Sequence, residues 1–196
     1  MKEKRQTEED FSLIRSFQQG HEQSFEDLVR RYQRQVGNII YLTLGSREEI
    51  QDLTQEVFIR VYRALPKFEF DSSFFSWVYR ITMNLCIDEL RRRRIKKVLS
   101  LEFLTEGTLE KERKSKDFST AADEVLADEK KSVILSALQK LSSEQRQIVI
   151  MREYEDLSYN EISGILGISL QAVKSRLFRA REELRQLLKE YFKERT

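Results

Sequence analysis

The sequence predicts an all-α fold: two small helical domains joined by a flexible linker, the second of them a helix-turn-helix. Three observations lead there. The 196-residue chain has only 6 Gly and 1 Pro beside 35% charged residues, so helix breakers are scarce and good helix formers abundant. Apolar residues recur three and four apart in two blocks, residues 1–97 and 126–196. Between the blocks, residues 98–125 lose that period and carry four basic against seven acidic side chains, as a linker does.

Composition also excludes. A net charge of +2 does not by itself name a nucleic-acid partner, so the case must rest on where charge sits. One Cys and one His, Cys86 and His21, allow neither an internal disulfide nor a metal cluster. The chain contains no Gly-rich phosphate loop and no nucleophile–base set, and the expectation is no enzyme, no cofactor, no metal and no small-molecule substrate. No apolar run approaches the roughly 20 residues of a membrane span, and the polar start MKEKRQTEED lacks a signal region. A cytoplasmic location is expected.

In chain order, residues 1–10 are polar and expected to fray. Phe11, Ile14 and Phe17 begin a helix that stops at Gly20. Phe25, Leu28, Val29, Tyr32, Val36, Ile39 and Ile40 carry a second helix to Gly45 and Ser46. The third places Ile50, Leu53, Val57, Val61 and Leu65 inward and ends at Pro66. Its outer face holds Asp52, Gln55, Glu56 and Arg60, with the rings of Phe58 and Tyr62 beside the main stripe. Acids on a helix are ordinarily solvated, but exposed rings beside them suit a protein contact.

The stretch from Phe68 to Arg94 is the densest in chemistry. Six aromatic residues fall within positions 68–79, and four consecutive arginines follow at 91–94. Rings next to guanidinium groups suit unstacked bases and their phosphates. Asp71 or Ser72 is the expected cap, which leaves Phe68 and Phe70 in an exposed loop. Within the helix, Phe74, Val78, Ile81 and Leu85 share one apolar face, while Trp77, Arg80, Asn84, Asp88 and Arg91 line the neighbouring one. Rings at helical spacing also read as core, so for Phe74 and Trp77 both roles stay open.

In the second block, Leu126, Val133, Ile134, Ala137, Leu138 and Leu141 form one helix, and Ile148, Val149 and Met151 a second opening at Ser142 or Ser143. Ser158 and Glu161 make a capping box, Gly167 allows a left-handed stop, Ile168 plugs the turn, and Ser169 caps the last helix. This is the short turn of a helix-turn-helix. Leu170, Val173, Leu177, Ala180 and Leu184 face inward; Gln171, Lys174, Ser175, Phe178, Arg179 and Glu182 face out. Phe178 on the polar side has no place in the domain's own core and suits a thymine methyl or sugar edge.

The motifs DLTQEVFIRVYRAL (52–65), FDSSFFSWVYRITMNLCIDELRRRR (70–94) and LSYNEISGILGISLQAVKSRLFRAREEL (157–184), in that order, resemble the extracytoplasmic-function (ECF) group of bacterial sigma factors. The resemblance implies a factor that recruits core RNA polymerase to promoter DNA. It implies clamp binding through Asp52, Gln55, Glu56 and Phe58, and flap binding by the last domain. It further implies opening of the minus-ten element and capture of a single-stranded base by Phe68, Phe70, Trp77, Arg80, Asn84 and Arg91. The minus-thirty-five element would be read by Gln171, Lys174, Ser175, Phe178 and Arg179, with Arg176 and Arg181 nearer the phosphates. An anti-sigma factor, commonly membrane-anchored, is implied as a further partner. Many relatives carry a Gly-Thr pair where this chain has Leu170, Gln171 and Ala172, so promoter sequence does not transfer. The competing reading is a stand-alone helix-turn-helix regulator on a duplex operator.

Overall fold

A computed structural model describes the backbone of residues 2–103 and 122–193, and the side chains of residues 7–93, 95 and 131–189. Among the described residues the architecture is all-α. The helices are α1 (Lys2–Gln18), α2 (Gln23–Leu44), α3 (Ile50–Ala64), α4 (Phe74–Phe103), α5 (Ala122–Lys140), α6 (Ser143–Val149), α7 (Tyr159–Leu166) and α8 (Leu170–Lys193). A single 3-10 turn, Leu65–Lys67, follows α3, and a π-turn, Ile150–Tyr154, follows α6.

Residues 2–10 belong to α1, contrary to the expected fraying. The reason is visible at its middle: Asp10 is buried and accepts from Arg31 (2.6 Å) and Tyr32, which ties α1 to α2. Burial pushes the Asp10 carboxyl above its ordinary value, and the Tyr32 and Arg31 hydrogen bonds offset only part of that. The first core gathers Ile14, Leu28, Tyr32, Val36, Val57, Val61, Phe74 and Val78 from the four helices. Gly45 closes α2 in the left-handed region (φ 74°) and returns its N–H to Tyr41.

Pro66 ends α3 through the 3-10 turn, and Ser73 caps α4 by accepting from the Ser76 N–H (3.1 Å), one residue beyond the expected Ser72. α4 then runs to Phe103 and α5 begins at Ala122, so helix covers both ends of the expected linker; residues 104–121 of it lie outside the described residues.

The second core joins Leu138, Leu141, Ile148, Val149, Met151, Ile162, Ile165, Val173, Leu177 and Ala180. Two capping boxes set its helix starts, Ser142 with Gln145 and Ser158 with Glu161. Gly167 (φ 64°) stops α7, and Ser169 accepts from the Ala172 N–H to start α8. Ile134 and Leu170, expected inside, are 38% and 39% exposed, because each sits at the rim of its helix's apolar arc.

The two cores meet. Ile39, Tyr79 and Met83, from α2 and α4, pack into the second cluster. Buried Arg146 donates to Leu138 O (2.8 Å), Gln139 O (2.7 Å) and Leu141 O (3.2 Å) at the end of α5, and also to Thr43 O at the end of α2.

Cys86 lies wholly inside the first core, where burial pushes its thiol up to about 12. Alkylation of the native chain by iodoacetamide at neutral pH is therefore expected to be far slower than of the urea-unfolded chain, read by mass spectrometry. Equal rates would place Cys86 at the surface.

Candidate nucleic-acid interface

The third helix lays the first part of the surface. Asp52 and Gln55 are exposed, and Glu56 is partly covered by an ion pair with Arg60 (2.8 Å). Phe58 is a correction: at 6% exposure it is a core residue, edge-on to Phe25, with only its rim reaching a groove between α2 and α3. The periodicity misleads because α1 and α2 both cover α3, so its buried arc is wider than one stripe. Tyr62, 42% exposed, does remain outside, its hydroxyl donating to Glu22 (3.3 Å). Gln51, Tyr41 and Arg47 also line the groove, with the Arg47 guanidinium 5.5 Å from the Tyr41 ring centroid. The sequence reading missed them because they come from α2, the α2–α3 connection and α3, and form no local aromatic or charged run.

The loop ahead of α4 gives a second correction. Phe68 is buried at 5% exposure, packed against Phe11, Phe70, Phe74 and Trp77, and presents no free face. Six rings in twelve positions exceed what one helix face absorbs, but α1 brings Phe11 across to enclose the loop. Gln18, also on α1, pins the loop by donating to Leu65 O (3.2 Å) and Phe68 O (3.1 Å). Phe70 is half-buried and sits at φ 60°, a region costly for a non-glycine residue. Its ring is edge-on to Phe11, and the Arg15 guanidinium lies 5.2 Å from its centroid. Arg15 and Gln18 carried no sequence signal, since a lone Arg or Gln on a surface helix is ordinary.

Beyond the loop, α4 presents a line. Trp77 is half-buried between Phe68 and Phe74, leaving part of the indole outward, while Arg80, Asn84, Asp88 and Arg91 are exposed along the same face. The arginine run divides. Arg92 donates to buried Glu89 (2.8 Å), and Arg93 to Glu89 (3.0 Å) and Glu49, whereas Arg91 has only a 3.7 Å approach to Asp88. Burial pushes the Glu89 carboxyl up, but the hydrogen bonds and charges of Arg92 and Arg93 outweigh it, and the net shift is downward. Arg92 and Arg93 thus both hold Glu89 within α4, and Arg93 also ties α4 to Glu49 at the start of α3.

On α8, Lys174, Ser175, Phe178 and Arg179 are exposed, as is Gln171, and Phe178 reaches 70%. Arg176 instead pairs with Glu144 (3.2 Å), and Arg181 with Glu153 (2.6 Å). Those pairs fix α8 against α6 and the π-turn.

Comparison with known proteins follows this division of surfaces. The family profile "Sigma-70 region 2" matches residues 28–95, and "Sigma-70, region 4" matches residues 131–184. The chain is 32% identical over 189 residues to the RNA polymerase sigma-H factor of Pseudomonas aeruginosa, covering 95% of this chain and 97% of that one. It is 32% identical to the ECF RNA polymerase sigma factor SigW of Bacillus subtilis, covering 90% and 95%. The chain belongs to the ECF sigma factors. Among solved structures, CnrH in complex with the cytosolic domain of CnrY superposes with a TM-score of 0.68 at 25% identity, covering 93% of this sigma factor and 98% of CnrH. The region 2 match runs from within α2 through α3 into α4, and the region 4 match ends within α8.

Because the folded Glu89 carboxyl titrates below its unfolded value, its contribution is complete above the ordinary carboxylate range and is lost as pH falls through the lowered value. Glu89→Gln should cost about 1–2 kcal/mol at neutral pH, with the two melting curves converging in acid. A deficit that persists undiminished in acid would show that packing, not charge, makes Glu89 matter.

Proposed function

We propose that this sigma factor binds core RNA polymerase, opens the minus-ten element with the α4 face and reads the minus-thirty-five element with α8. The observation that carries the reading is that one chain exposes two chemically different surfaces. Trp77, Arg80, Asn84 and Arg91 combine a stacking ring, a bidentate amide and guanidinium groups, which suit a separated strand. Lys174, Ser175, Phe178 and Arg179, joined by Gln171, lie on a helix-turn-helix recognition helix, which suits the major groove of intact duplex.

Strand opening then proceeds by binding. Stacking an extruded base on Trp77, with Phe70 and Arg15 at the adjoining loop, offsets unstacking that costs a few kcal/mol. Asn84 supplies donor and acceptor to a base edge, and Arg91 a phosphate contact. No bond is made or broken by the sigma factor itself, so the reading is of a protein without enzymatic activity or cofactor, acting in the cytoplasm. Among the described residues no helix is long and apolar enough to cross a membrane.

Asp52, Gln55 and Glu56, with the rim of Phe58 and the groove residues Gln51 and Arg47, make the surface for the polymerase clamp, and the domain of α5–α8 meets the flap. The combination of acids, amides and a groove floor supports a protein contact rather than a nucleic-acid one. An anti-sigma factor is the third partner; CnrH is known in complex with the cytosolic domain of CnrY, and the fold likeness supports the same class of inhibitor here.

Substituting Trp77 or Asn84 by Ala is expected to impair open-complex formation, measured by permanganate footprinting, while leaving core association within about twofold. Equal loss of both would remove the assignment to strand capture. Replacing Lys174 or Arg179 by Ala is expected to weaken minus-thirty-five recognition by roughly 1–3 kcal/mol per lost bidentate contact. The readout is selection from a randomised promoter pool, and an unaltered base preference counts against α8 as the reading helix. Tight operator binding by the chain alone, with no promoter opening on adding core, would favour the stand-alone regulator.

A further inference from the structure

We propose that α1 is part of the strand-capture site: its face of Phe11, Arg15 and Gln18 holds the loop at residues 68–73 in the shape that receives an extruded base. Gln18 is the positioning residue, and Arg15 is the cation offered to the strand. The proposal rests on the strand-capture reading of α4 given above.

Residues 11, 15 and 18 are four and three apart, so one face of α1 carries all three. That helix lies ahead of residues 28–95, the span of the region 2 match. The Gln18 amide donates to Leu65 O (3.2 Å) and Phe68 O (3.1 Å) at the entry to the loop, with a longer approach of 3.5 Å to Pro66 O. Phe68 in turn sets its ring edge-on to Trp77 (5.2 Å between centroids) and to Phe70 (5.1 Å). A donor on α1 thereby fixes the main chain of the residue that supports both half-buried rings of the platform.

The loop needs that hold. Phe70 stands at φ 60°, where a side chain crowds its own backbone, so a loop with free ends would relax toward ordinary φ. Ser73 ties the exit by accepting from the Ser76 N–H (3.1 Å), and Phe11 ties the middle, its ring edge-on to Phe70 at 5.1 Å. Gln18 ties the entry. α1 is itself anchored, because buried Asp10 accepts from Arg31 and Tyr32 of α2, and the Tyr32 ring packs edge-on against Phe74 at the start of α4. Both ends of the loop are thus held to one frame.

Charge points the same way. Residues 68–73 carry Glu69 and Asp71, both exposed, and no basic residue. Carboxylates repel the phosphates of a strand, so the loop offers shape without attraction. Arg15 supplies the cation from α1, exposed and 5.2 Å from the Phe70 ring centroid.

The test uses the full chain. Trp77 is its only tryptophan, so intrinsic fluorescence reports the platform directly. Gln18→Leu keeps the bulk of the side chain and loses both donors. With far-UV circular dichroism unchanged, its emission should move to longer wavelength and be quenched more readily by acrylamide. Emission and quenching equal to wild type overturn the positioning role. Bound to core polymerase, the same variant should hold a fluorescent single-stranded minus-ten oligonucleotide about tenfold more weakly, the worth of one stacked base. Arg15→Gln should lower the slope of log affinity against log salt by about 0.7, as loss of one single-strand phosphate contact does, whereas Gln18→Leu should leave the slope unchanged. An unaltered slope in Arg15→Gln removes Arg15 from the strand. Trp77→Ala serves as the reference. If it binds the oligonucleotide weakly while Gln18→Leu binds like wild type, the role of α1 fails alone; if both bind like wild type, the strand-capture reading fails with it.

Discussion

The arrangement depends on a guanidinium placed where two helices end. α5 stops at Lys140 and α2 at Leu44, and each leaves carbonyls that water would otherwise satisfy. Arg146, delivered by the Ser142–Gln145 capping box one turn into α6, fills that need for Leu138, Gln139, Leu141 and Thr43 together. Burial lowers its pKa, yet its charge persists because arginine does not deprotonate in proteins and every direction it faces offers an acceptor. Within the second domain the same contact fixes the angle between α5 and α6, on which α7 and α8 then stand. Remove the carbonyls or the guanidinium and a buried polar group is left without a partner, the costly case.

Charge is divided between neighbouring residues over the surfaces proposed to contact DNA. Arg92, Arg93, Arg176 and Arg181 are all held by carboxylates, while Arg91, Lys174 and Arg179 have at most a distant acid or a main-chain carbonyl of their own helix. The paired group orients α4 and α8; the less encumbered group faces outward.

Much of this was legible in the residues. Breaker scarcity and the three–four rhythm predicted helices, and Ser158, Glu161, Gly167 and Ser169 specify their turn because each satisfies a particular backbone group. The Trp77–Arg91 line also follows from helical spacing, since residues on one α4 face need only the period. What escaped was tertiary. Phe58 and Phe68 look exposed when each helix is read alone, and they are buried because Phe25 of α2 packs on Phe58 and Phe11 of α1 closes over Phe68. Arg15, Gln18 and Arg146 act through partners 47 to 103 positions away or through a ring contact, and no local pattern encodes such pairing.

The pairing of arginines bears on how a sigma factor divides affinity from specificity. Binding to duplex DNA by charge scales with the number of phosphates neutralised, and each neutralising group must be free to leave its own counter-charge. At the start of α8, Lys174 and Arg179 lie exposed with no carboxylate partner among the described residues, whereas Arg176 and Arg181 are each held by one. What remains on that face is Phe178, Gln171 and Ser175, groups that discriminate bases at short range and contribute little at a distance. On the proposed reading, a recognition helix tethered to other bound surfaces gains affinity through effective concentration as well as through its own charge. On the proposed reading, the ion pairs that hold Arg176 and Arg181 against α6 and the π-turn withhold those two cations from phosphates.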